Sequence, residues 1–116
     1  MTTTIWARTL AALTGLGLPL AANRMVMDTG EALPEAFIVY TLITAPPEQF
    51  ADDDITVRSY TMQVSYYNRA GLVAMPDIDA AMMAAGFMPG PFRELPFSQE
   101  SQHYGLALDY TYTEGV

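Results

Sequence analysis

Apolar and polar residues alternate most regularly over 55–67, where Tyr60, Met62, Val64 and Tyr66 interleave with Ser59, Thr61, Gln63 and Ser65. A period of two predicts a strand with one apolar face and one polar face. The pattern returns over 102–113. There Tyr104, Leu106, Leu108, Tyr110 and Tyr112 form one face, and His103, Gly105, Ala107, Asp109 and Thr111 form the other. Two strands of matched pattern predict an antiparallel pair. A third run, FIVYTLI at 37–43, is almost continuously apolar. It predicts a strand buried on both faces, or covered by a partner on one.

A longer period marks two helices. Ile5, Trp6, Leu10 and Leu13 share a helical face, which predicts a helix over 3–14. Thr2, Thr3 and Thr4 offer capping hydroxyls, Gly15 and Gly17 end the helix, and Pro19 prevents its resumption. Residues 15–35 read as an irregular crossing with a short extended piece near Met25, Val26 and Met27. Met75, Ile78 and Met82 predict a second helix over 72–85, with Pro76 confined to its first turn. Gly86 follows as a C′ residue, and Phe87 can pack back over the last turn. The proline-rich stretch after Pro89 reads as irregular, with an edge strand around Phe92 to Leu95. The order helix, strand, strand, helix, strand predicts an α+β fold. Its antiparallel sheet carries the N-terminal helix, and the second helix packs on its Tyr/Leu/Met face. A length of 116 residues fits one domain, 1–116.

Composition narrows the function classes. With 51% hydrophobic residues the chain is too apolar for disorder, yet no run is long enough to cross a membrane. Arg8 followed by the apolar stretch 10–22 resembles a signal peptide, but the helical pattern of the residues before it favours a folded segment. There is no cysteine, so thiolate metal sites and cysteine nucleophiles are excluded. The net charge is −8, and the five bases, all arginine, are scattered. Phosphate tracking needs clustered cations, so direct binding of nucleic acid is not expected. An acidic surface would suit a lumen that DNA slides through, and would serve solubility equally well.

Candidate chemistry is sparse. Asp52, Asp53 and Asp54 lack the spacing of a calcium loop, and read as a solvated loop or a contact for a basic partner. His103 is the sole histidine. On one strand it would lie roughly 20 Å from Asp109, too far for acid–base work, so a surface strand position is expected. No lysine is present, which excludes a P-loop, and no nucleophile elbow occurs. The seven tyrosines read as the core face of the sheet, with an aromatic ligand pocket as the alternative. No enzyme activity, metal or cofactor is expected.

The segments 10–22 and 37–43 offer little polar surface for so short a chain, which points to a partner. Leu18, Phe37 and Val39 are therefore candidate assembly contacts, together with Asp52, Asp53 and Asp54.

The order of short motifs resembles the tail-completion, or tail-terminator, proteins of siphophages. These motifs are GLP at 17–19, LPEAFIVY at 33–40, ADD at 51–53, YTMQVSYY at 60–67, AGF at 85–87 and HY at 103–104 before a tyrosine-rich strand. The chain departs from that family in lacking lysine around the second helix and in carrying Pro76 there. The resemblance implies a homo-oligomeric ring, commonly a hexamer, in the neck of the virion and assembled in the host cytoplasm. Its partners would be the tail-tube protein and the head connector, with DNA passing through unbound.

Overall fold

The computed structural model describes residues 4–23, 32–45, 47–51 and 54–115. The fold is α+β. The chain runs α1 (Ile5–Thr14), β1 (Leu20–Ala22), β2 (Ala36–Thr44), β3 (Pro47–Ala51), β4 (Asp54–Asn68), α2 (Ile78–Ala84), β5 (Met88–Ser98) and β6 (His103–Gly115). One six-stranded sheet has the order β1-β2-β4-β6-β5, with β3 also paired to β4. The predicted pair of matched strands is its centre, in antiparallel register from Val57↔Gly115 to Asn68↔Tyr104. The sheet is mixed rather than wholly antiparallel, because β1 lies parallel to β2.

The predicted faces hold. Ile38 and Tyr40 of β2, Met62, Val64 and Tyr66 of β4, and Leu106, Leu108 and Tyr110 of β6 form one buried layer. Ile5 and Leu13 of α1, Ile78 and Met82 of α2, and Phe87 complete it. Both helices therefore cover the same face of the sheet. Phe37 and Val39 point to the other face, yet are only 5% and 9% exposed, so β2 is buried on both sides at this end.

Thr4 caps α1 by accepting a hydrogen bond from the Ala7 amide at 3.1 Å. The buried stripe of α1 is Ile5, Thr9 and Leu13, which corrects the sequence-based face. Trp6 and Leu10 stand outside it, each 42% exposed. Thr9 tolerates burial because its hydroxyl donates to the Ile5 carbonyl at 2.7 Å.

The second helix is shorter than expected. Asp77 caps it, its carboxylate accepting from the Ala80 amide at 3.0 Å. Pro76 thus precedes the helix instead of occupying its first turn. The C-terminus matches expectation: Gly86 has φ +94, and the Phe87 amide reaches the Met82 carbonyl at 3.0 Å. The Gly86 amide bonds the Met83 carbonyl, so two carbonyls that lack helical partners are satisfied. Phe87 folds back into the core, 2% exposed.

Two strands, β1 and β3, are new relative to the sequence reading, and the edge strand expected around Phe92 to Leu95 is present but longer, as β5. The short β1 forms within the expected irregular crossing. β3 follows where the chain was expected to remain a loop, and Asp54, paired with Ala51, opens β4. β5 runs through the proline-rich stretch because register shifts between Pro89 and Phe92, and between Leu95 and Ser98, absorb the missing donors. The extended piece expected at Met25–Met27 lies outside the described residues.

Candidate functional site

The sequence-derived contacts do not converge. Leu18 turns inward after Gly17, at φ +74, and packs half-buried against the core. Phe37 lies on the opposite face, stacked on Tyr67 at 4.9 Å. Val39 is two residues along the same strand. These side chains are already largely covered within the chain, and what remains open of Phe37 and Val39 faces a recess rather than an outer surface. Asp52 and Asp53 lie outside the described residues.

Exposed large apolar side chains among the described residues include Ile43, Val73, Phe97 and Tyr104, which are scattered, and five that sit on two flanks. Ala7, Arg8, Ala11 and Ala12 of α1 face Ala81, Ala84 and Ala85 across a groove between the helices. At 100° per residue, Trp6 and Leu10 must then lie on the flank of α1 away from α2. That flank is on the β1–β2 side of the sheet, which α1 touches. By the same geometry Met83 of α2, 55% exposed, lies on the flank away from α1. It is on the side of β5, which α2 touches; there Phe92, 70% exposed, shares the helix-covered face with Leu108, while Met88, 68% exposed and opposite Thr111, projects from the other face of the same edge. The two apolar flanks thus stand at opposite edges of one sheet. A sequence signal existed for the first: Trp6 and Leu10 are spaced i, i+4, while Thr9 could satisfy its hydroxyl inside the helix. Met88 and Phe92 were obscured by the prolines around them.

Two polar clusters fasten the ends of the fold. Arg8 pairs with Glu114 at 3.3 Å and lies over the Tyr112 ring at 4.5 Å, tying α1 to β6. Tyr110 is fully buried and donates its hydroxyl to Asp79 at the start of α2. Burial first, and then that hydrogen bond and the charges of Asp79 and Asp77, push the phenol upward from its ordinary value of 10.0.

His103 is 1% exposed, not a surface residue. Its Nε2 contacts the Pro34 carbonyl at 2.8 Å, and its ring meets Phe37 edge-on at 5.0 Å. That contact fixes Nε2 as the protonated nitrogen of the neutral ring, because a carbonyl only accepts. Nδ1 has no partner. His103 thus fastens the 32–35 segment to β6. The sequence missed this because alternation assigns a face, and the segment that crosses that face is not periodic.

Beside His103, the face opposite the helices holds two adjoining recesses of about 350 and 470 Å3. The first is lined by Asn23, Leu33, Phe37, Val39 and Tyr67, and shares Leu33, Ser98 and Ser101 with the second. The second adds Arg69 and Glu100. Among the described residues no group of three or more His, Cys, Asp or Glu side chains is placed to hold a metal ion. No helix among them is long and apolar enough to cross a membrane. No family model matches the sequence, and none of the curated proteins matches it significantly.

Proposed function

We propose that this chain is a structural subunit of a tailed-phage virion that assembles into a ring, caps the tail tube and joins it to the head connector. The observation that carries the assembly part is the pair of apolar flanks at opposite edges of one sheet. A patch that meets a different patch on the next copy makes a heterologous contact, which repeats around an axis and closes when the rotation allows. Trp6 and Leu10 of one copy would meet Met83, Met88 and Phe92 of the next. The tail role rests on the motif resemblance, and the acidic balance suits a lumen through which DNA passes. Nothing in this role needs catalysis. Negative-stain images of the purified protein should show closed rings, and rings should bind the ends of tail tubes in a mixture with tube protein. Rings that ignore tube ends would leave assembly intact and remove the tail role. A small-molecule pocket, the other class the sequence admits, finds support in the recesses beside His103, and one chain can carry both.

A further inference from the structure

The 99–102 turn between β5 and β6 is held more firmly than a surface hairpin needs. Gln102 adopts φ +62, an uncommon conformation for a residue with a side chain. Its amide bonds the Ser98 carbonyl at 2.7 Å, and its side chain donates to the Gln99 carbonyl at 2.7 Å. Ser98 Oγ accepts from the Ser101 hydroxyl at 3.0 Å and from the Ser101 amide at 3.4 Å. That arrangement leaves the Ser98 hydroxyl proton free to donate. Arg69 donates through Nε to the Ser101 carbonyl at 3.0 Å, which orients its guanidinium. No carboxylate lies within ion-pair distance of Arg69 among the described residues.

The recess thus has one fixed guanidinium edge, one hydroxyl donor that is unused among the described residues, and an adjoining apolar wall. The wall is made by Leu33, Phe37, Val39 and Tyr67. Tyr67 lies close across Gly105, where a Cβ would come within 3.0 Å of the Tyr67 ring and 3.2 Å of Leu95 Cβ, so a side chain there would push the ring that lines the recess.

We infer that this recess binds a small apolar monocarboxylate, the carboxylate held by Arg69 and the Ser98 hydroxyl and the apolar body held against Phe37, Val39 and Tyr67. A guanidinium presents paired donors that match the two oxygens of a carboxylate. Glu100 lines the same recess and Arg69 is the one cation among its lining residues, so a first negative charge pairs with Arg69 while a second meets only the repulsion of Glu100. A monoanion fits, and a dianion or a phosphate monoester does not. The inference is independent of ring assembly, because none of these side chains belongs to the two apolar flanks.

The probes are 3-phenylpropionate, its neutral counterpart 3-phenylpropan-1-ol, and the dianion phenylsuccinate, titrated into the full chain by calorimetry and by amide chemical shifts. The expected result is binding of 3-phenylpropionate, with shift changes centred on Tyr67, Ser98 and Ser101. The alcohol and the dianion should each bind more weakly by about tenfold or more, the loss expected when a charge-assisted hydrogen bond is missing or opposed. Arg69→Gln should weaken the acid by a similar factor and leave the alcohol unchanged. Equal binding of acid and alcohol, shifts confined to another surface, or no binding of the acid would each overturn the inference. Those ligand comparisons decide the matter even if Arg69→Gln fails to fold.

Discussion

Single atoms decide the two most sensitive positions. At Gly105 the contact is with a ring held by its own stacking on Phe37, so the neighbour cannot give way cheaply. Gly105→Ala should cost about 1–3 kcal/mol in urea unfolding, the range for overpacking a well-filled site. It should also shrink the recess and weaken 3-phenylpropionate. At Tyr110 the raised phenol pKa makes stability fall with rising pH. The unfolded phenol ionises near 10.0, while the folded one stays neutral beyond that point. Above that value the unfolded state loses protons that the folded state keeps, so unfolding becomes progressively easier. Melting curves from pH 8 to 11 should therefore show a steeper loss for the wild type than for Tyr110→Phe, with no difference below pH 9. Parallel curves would mean that burial and Asp79 together do not hold this hydroxyl neutral.

Elements were legible where their periodicity was long and their faces were opposed. β4 and β6 could be read because twelve register pairs repeat one alternation, with Val64 at its centre and fully buried. Val64→Asp should abolish the cooperative unfolding transition, because an unpaired carboxylate cannot be buried there. A folded variant would mean that the sheet faces are assigned wrongly. β1 was not legible because three residues carry no period, and β5 was legible only at Phe92 to Leu95 because Pro89, Pro91 and Pro96 masked its full length. The start of α2 was misread because Met75 fits the helical face while its backbone lies before the cap. In α1, the polar Thr9 was excluded from the core face by type alone. Its hydroxyl is satisfied within the helix, so Thr9→Val should change stability by less than about 1 kcal/mol in urea unfolding. Thr4→Ala should cost about 1 kcal/mol through loss of the cap, read in the same experiment.

For the whole molecule, the sequence pointed to surplus apolar surface in 10–22 and 37–43; Leu10 and Ile43 are exposed there, while Phe37 and Val39 are not. Phe37 and Val39 are covered by Tyr67, His103 and their neighbours, a cover that comes from distant segments and has no local signature. The surplus that is grouped lies on the flanks of α1 and of α2 with β5. If those flanks meet head to tail, Leu10→Glu and Phe92→Glu should each block assembly alone. Mixed together, the two variants should form dimers and nothing larger, since each retains the flank that the other has lost. A self-complementary contact would instead let one of the two variants, the one that keeps that flank, assemble by itself. The most direct test is the mass of the wild-type chain by sedimentation equilibrium across a hundredfold range of concentration. A single closed assembly of fixed subunit number is predicted. A monomer of 12.7 kDa throughout would contradict the account.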